Sequence, residues 1–332
     1  MTKRGTADVT RRRFLAGLPF LAARGARAAL DEWTHAVTGR MSTAELGVTL
    51  SHEHVLVDFI GADKVSRDRY DSEEVFRTAL PHLEALKRAG CRTLVECTPA
   101  YLGRDPRLLV RLSQASGVTL LTNTGYYGAA QDKYVPALAF DEPAERLAGR
   151  WTTEFTDGIE GSGVRPGFMK IGIDSGPLSE IDRKLVRAAA LCHKATGLVI
   201  ACHTGNGEAA FEALETLRTE GVSPEAFIWV HAQNEKDPAV HVKAARSGAW
   251  VSFDGIRPSS LEAHVGAVAA LIQGAQLGRV LVSQDAGWYH VGEGGGGVFR
   301  DYTFIYEHFL PRLDKTWIRP LMWDNPRRAF GE

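Results

Sequence analysis

Eight short runs of β-branched and apolar residues recur along the chain, each closing on polar or small residues. They are LGVTLSH (46–52), RTLVECT (92–98), VTLLTNT (118–124), GFMKIGI (167–173), LVIACHT (198–204), FIWVHA (227–232), AWVSFD (249–254) and RVLVSQD (279–285). Runs this continuously apolar suit parallel strands covered on both faces. Between them lie stretches of helical period. In DSEEVFRTALPHLEALKRAG, Val75, Ala79, Leu83 and Leu86 share one stripe, with Asp71 and Ser72 as caps and Gly90 as the stop. Pro81 inside this stretch predicts a kink or a late start. SEIDRKLVRAAALCHKAT, GEAAFEALETLRTEG, DPAVHVKAARSG and SLEAHVGAVAALIQGAQ read as further helices, and residues 301–313 are expected to cover the last strand. Strand–helix alternation repeated in this way predicts an α/β chain folded as a single closed (β/α)8 barrel over residues 29–332. A doubly wound open sheet would want a Gly-rich phosphate turn after its first strand, and SHEHVLVD has none.

Length alone would allow two domains, since the chain has 332 residues, but one such barrel commonly runs to about 250. The formal charge is −1 with no long basic or acidic block, so neither nucleic acid nor an anionic membrane is an expected partner. The four cysteines form no CxxC pair, which excludes a zinc knuckle and a thioredoxin-like motif. Cys202, beside His203, reads as a buried hydrophobe.

The N-terminus reads differently from the rest. Arg11, Arg12 and Arg13 stand before FLAGLPFLAA, a stretch too short for a membrane span, and Ala26-Arg27-Ala28 offers a small-x-small cleavage site. Residues 1–28 therefore resemble a twin-arginine export signal, which predicts a periplasmic or secreted protein without stable membrane association after export. Such a route carries folded proteins, so a metal could be loaded in the cytoplasm beforehand.

Catalytic groups of a (β/α)8 barrel lie at the C-terminal ends of its strands. Here the first strand ends in His52 and His54, the fourth carries Lys170, the fifth ends in His203, the sixth in His231 and the eighth in Asp285. Each alone has a dull explanation, because a lone strand-end histidine is commonly a hydrogen-bonded structural residue. Together at one end of one barrel they are hard to explain separately, since buried ionisable groups are costly unless they pair or bind metal. Histidine and carboxylate suit zinc and its first-row neighbours. Glu53 alternates away from the two histidines and is not expected to be a ligand. His82, His193, His241, His264 and His308 fall in helical stretches and read as surface or packing residues.

This set, SHEH on strand one, lysine on strand four, histidines on strands five and six and aspartate on strand eight, resembles the phosphotriesterase family of the amidohydrolase superfamily. TGYYG at 124–128, SFDGI at 252–256, SQDAG at 283–287 and the closing DNPRRAF extend the resemblance over the mature chain. It implies a binuclear metal centre at the C-terminal end of the strands, with zinc first and manganese, iron or cobalt also compatible. His52, His54 and Asp285 would hold the more buried ion, and His203 and His231 the more exposed one. Lys170 would bridge them as N6-carboxylysine, together with a hydroxide. Burial among cations pushes a lysine toward the neutral amine that adds carbon dioxide. The implied catalytic groups are Lys170 and Asp285, with Asp285 accepting the proton as hydroxide attacks.

The chain also departs from the phosphotriesterases proper. Those carry a histidine directly after the strand-seven aspartate, and the lactonase relatives an arginine; here Gly255 follows Asp254 and the arginine is Arg257. Asn234 stands near the acid expected after His231, and the loop after strand eight is short and Gly-rich. Phosphotriester hydrolysis is thus expected only as a side activity. Tyr126, Tyr127, Arg257, Trp288 and Tyr289 are candidate substrate-binding residues, with aromatics for an apolar acyl group and Arg257 for a carboxylate or phosphate. Glu96 is a further rim candidate that could equally cap its loop. The reading is a metal-dependent hydrolase of a small ester, a lactone first. An amidase of small N-acyl compounds, a phosphoesterase and a catalytically inactive metal-binding protein are the alternatives. A small molecule is the expected partner, and a homodimer is compatible with the sequence.

Overall fold

The computed structural model describes residues 32–331, so the expected export signal lies outside the described residues. The first described element is an antiparallel hairpin, Trp33–Ala36 with Gly39–Ser42. It lies across the N-terminal ends of the barrel strands, with Val37 N donating to Leu120 O at 2.9 Å. A Cβ at Gly167 would stand 2.6 Å from His35 O, so this close approach requires glycine there.

All eight runs are strands. In chain order they are β1 (Thr49–Glu53), β2 (Thr93–Glu96), β3 (Thr119–Leu121, resuming at Asn123–Thr124) and β4 (Phe168–Ile173). Then follow β5 (Ile200–Thr204), β6 (Phe227–Val230), β7 (Trp250–Phe253) and β8 (Val280–Val282). Each pairs in parallel with its sequence neighbour, β3 carrying the ladder from β2 to β4 across its interruption. Both faces of these strands are buried, which is why they read as continuous apolar runs.

Helices cover the strands: α1 (Ser72–Arg88), α2 (Pro106–Ser116), α3 (Ala144–Asp157), α4 (Glu180–Thr196), α5 (Gly207–Thr219), α6 (Pro238–Ser247) and α7 (Leu261–Gln273). Helix α1 begins on the Asp71 cap and buries the expected stripe of Val75, Ala79, Leu83 and Leu86. It does not start late, and it runs unbroken through Pro81. That residue is exposed, so water can satisfy the carbonyl that the ring leaves without a donor. The cover of the last strand also differs from expectation. Residues 301–313 contain only a π turn (Ile305–Phe309) and a 3-10 turn (Leu310–Arg312), while β8 is packed by the later turns Pro320–Asp324 and Asn325–Ala329. Among the described residues no helix is long and apolar enough to cross a membrane.

The junction of β1 with β8 closes the barrel and builds half of the site. Glu53 is fully buried and accepts from Ser283 Oγ (2.8 Å), Gln284 N (3.0 Å) and Ala286 N (2.6 Å). Ser51 Oγ donates to Val282 O, and Asp285 N to His52 O at 3.2 Å. The first and last strands are thus joined largely through side chains.

Candidate metal centre

Strand alternation sends Glu53 to the β8 side and His52 and His54 into the barrel mouth, their ring centroids 5.3 Å apart. The bonds that hold Glu53 fix the backbone on either side of Asp285, which sits in the left-handed region at φ 53. Its Oδ1 lies 3.1 Å from His54 Nε2 and 3.6 Å from His52 Nε2. One ligand atom from each of His52, His54 and Asp285 falls within 4.8 Å of the others, the spread of a single cation site.

Lys170 on β4, His203 at the end of β5 and His231 just past β6 line the same chamber of about 190 Å³. His203 and His231 stand edge to face at 4.4 Å, and His231 is 5.1 Å from His52. Lys170 is buried, and that burial lowers its pKa toward the neutral amine. Burial likewise brings His52 down to about 3, lowers His54 and drives His203 well below its usual value, so these imidazoles are neutral.

His231 differs because of Asp254, which the sequence reading noted but gave no role. This buried carboxylate at the end of β7 receives His231 Nδ1 at 2.5 Å, His231 N at 3.1 Å, Ser252 Oγ at 2.8 Å and Gln233 Nε2 at 3.2 Å. Burial opposes its ionisation, yet the charge of His231 and the hydrogen bonds from that residue's ring and amide hold it far below the usual carboxylate range. His231 is in turn raised by Asp254 against its own burial. With Nδ1–H committed to Asp254, Nε2 is left to face the chamber. Tyr127 hydroxyl meets His203 Nδ1 at 2.8 Å and steadies that ring in a similar way.

Does a metal fit? His52 Nδ1 and Asp285 Oδ1 are buried and have no hydrogen-bond partner. The Nε2 atoms of the neutral His52 and His54 converge on Asp285 Oδ1, whose carboxylate stays ionised, while His52 Nδ1 faces the ionised Asp254 Oδ2 at 3.5 Å. A divalent cation satisfies such a set, whereas protons do so poorly, and the donor types suit zinc and its first-row neighbours. The residues fit the group.

Of the expected substrate-binding residues, Tyr127 and Trp288 line the chamber. Arg257 lines a neighbouring cavity that shares His231 and Asp285 with it. Tyr126 and Tyr289 are not brought there. Tyr126 packs on Tyr101 and Trp151 in a separate cavity beside Arg104, and Tyr289 is buried beside Leu56 with its ring under Gly296. Neighbours in sequence do not share a wall here: Tyr126 and Tyr127 line different cavities, and Trp288 stands in the left-handed region at φ 79, so the turn at that residue sends Tyr289 away from the chamber. His290 shares the Trp288 side, the two rings being 5.8 Å apart. Phe59 and Tyr134, both unforeseen, complete the aromatic wall. Glu96 is not at the rim. It is buried and accepts from Val55 N and Thr98 Oγ1, the latter also meeting His54 Nδ1 at 2.8 Å. Cys202 is buried as expected.

Known proteins resemble this chain in sequence and in fold. The phosphotriesterase family model matches residues 33–330. The phosphotriesterase homology protein of Escherichia coli K12 is 27% identical over 299 residues, covering 87% of this chain and all of that protein. The N-acetyltaurine hydrolase of Dictyostelium discoideum is 26% identical over 275 residues, covering 76% of this chain and 72% of that one. The organophosphorus hydrolase structure from Deinococcus radiodurans superposes with a TM-score of 0.80 at 26% identity, covering 90% of this chain and 97% of that one. On the family model and these relatives, the chain is a metal-dependent hydrolase that belongs to the phosphotriesterase family.

Proposed function

We propose that this protein hydrolyses a small carboxylic ester, a lactone first, at a centre of two divalent cations. The observation that carries the reading is the chamber itself. Six ligand-type residues and an aromatic wall of Phe59, Tyr127, Tyr134 and Trp288 meet in about 190 Å³, room for a compact acyl group or ring. His52, His54 and Asp285 would hold one ion and His203 and His231 the other, with Lys170 bridging as N6-carboxylysine. Bound divalent ions supply water of near-neutral pKa and polarise a scissile carbonyl.

The chain's own groups do the rest. Asp285 Oδ1, which faces the chamber beside His54 Nε2, takes the proton of the attacking water. Because Asp285 lines both the chamber and the cavity beside it, the same oxygen can return the proton to the departing atom. Asp254 and Tyr127 hold the His231 and His203 rings in register. Trp288 is pinned by its Nε1–H on Asp285 O at 2.8 Å, so the wall that excludes water is fixed to the catalytic aspartate.

An amide substrate is the second reading. It is favoured by the similarity to N-acetyltaurine hydrolase and by the extra room beside His231 and Asp285. The test is turnover by the metal-loaded protein on lactones, aryl esters, N-acyl amino acids and phosphate triesters. Lactone or ester hydrolysis ahead of the others is expected. N-acyl hydrolysis in first place would select the second reading, and no metal-dependent turnover on any of them would sink both.

A further inference from the structure

The cavity that adjoins the chamber has a volume of about 620 Å³ and shares His231 and Asp285 with it. A substrate whose reacting carbon sits between those residues must therefore extend into one space or the other on each side of the scissile bond. The two spaces differ in chemistry. The chamber is aromatic, whereas the cavity carries Arg257 and Lys236, neither of which has a carboxylate partner among the described residues. Lys236 Nζ donates only to Gln233 O, at 2.8 Å. Besides the Asp285 it shares with the chamber, the cavity is lined by Glu235, whose Oε1 accepts from the backbone amides of Lys236 and Asp237.

His264 is the second, independent feature. It is 3% exposed and reaches the cavity from α7. Its Nδ1 stands 2.9 Å from Ser260 O, an atom that can only accept, so Nδ1 carries the proton and Nε2 is a bare acceptor. Burial lowers its pKa and keeps the ring neutral. That Nε2 is buried with no partner. Gly255 is what leaves it open: a Cβ there would stand 3.5 Å from His264 Nε2 and 2.8 Å from Gln233 Nε2. A buried acceptor without a donor is costly unless a ligand supplies one.

We propose that this cavity binds the departing half of the substrate, a small amine or alcohol that carries a carboxylate or sulfonate. The anion sits at Arg257 and Lys236, and the amino or hydroxyl group donates to His264 Nε2. The inference rests on the hydrolase reading in its open-chain ester or amide form, not its lactone form, and deepens it: an oxygen–acyl bond forms from water, the acyl–nitrogen or acyl–oxygen bond breaks, and the departing atom gains the water's proton.

Two measurements test it. The first compares kcat/KM of the metal-loaded enzyme for N-acetyl-3-aminopropanoate and its uncharged amide, with the O-acetyl pair alongside. The anionic member should lead at least tenfold, and R257M should cut that ratio at least tenfold; equal rates for both members, or a ratio that R257M leaves alone, overturns the proposal. The second titrates the metal-loaded protein with 3-aminopropanoate and with propanoate by calorimetry. R257M should weaken both and H264F only the amine-bearing one. Loss of both in H264F, or no binding of either to the unaltered protein, overturns the assignment. Binding that depends on Arg257 without turnover of any substrate would uphold the cavity while sinking the hydrolase reading, so the two failures are distinct.

Discussion

Asp254 offers the sharpest check on how the centre is held together. D254N keeps the shape of the side chain and one oxygen. If that oxygen serves His231 Nδ1, His231 N and Gln233 Nε2, the new amide nitrogen faces Ser252 Oγ, which can turn to accept. The geometry then survives, and what is lost is the charge behind the 2.5 Å bond to His231. Charge-assisted bonds exceed neutral ones by about 1–1.5 kcal/mol, so affinity for the more exposed ion should fall about tenfold. D254A instead leaves several buried donors without an acceptor, at about 1–3 kcal/mol each, and should lose at least about a hundredfold. Competition for zinc against a chromophoric chelator reads both affinities, and thermal melting checks the fold. Asp254 does not position His231 if D254N binds zinc within twofold of the unaltered protein.

Three further outcomes follow from the geometry. K170A should carry no more than one metal per chain where the unaltered protein carries near two; undiminished loading refutes the bridge. W288A should lower kcat/KM at least about tenfold by opening the chamber wall, and Y126F should change it less than about twofold, because Tyr126 lies in another cavity. The reverse order would restore the sequence expectation for Tyr126. The last outcome concerns Glu53, pushed up from 4.5 to about 8 by burial against the pull of its three donors. Between these values it holds its proton in the fold and releases it in the unfolded chain, so its contribution to stability declines as pH rises from 4.5 to 8, by about 5 kcal/mol in all. E53Q cannot titrate. The stability of the metal-free unaltered protein relative to E53Q, followed by urea unfolding, should therefore fall across that window; a constant difference contradicts the assignment.

The strands were legible because parallel barrel strands are buried on both faces, and the signal survives in plain composition. Their ends carried the ligand-type residues for the same reason: polar side chains in such runs are conspicuous. The errors came where local pattern gives way to three-dimensional placement. Tyr126 and Tyr289 stand beside residues that do line the chamber, and the loop backbone, left-handed at Trp288, turns them elsewhere. Phe59 and Tyr134 lie outside the helices and strands, where no period marks them. Asp254 could have been found as a second strand-end aspartate one strand before Asp285, but its partner His231 is 23 residues away and only the barrel brings them together. The role of Glu53 was equally hidden, since its three bonds span more than 200 positions.

The junction between β1 and β8 also has a topological meaning. His52 and His54 stand on one side of it and Asp285 on the other, with His52 and Ser283 joined across 231 positions. A cation held by these three residues would tie nearly the two extremities of the barrel together, as a disulfide would across a long loop, where such a tie contributes about 4–5 kcal/mol. Chelation then removes a cross-link as well as a reactant. The amides of Gln284 and Ala286, held by Glu53 alone once the ion is gone, become the place where the ring of strands unzips and solvent exchange begins.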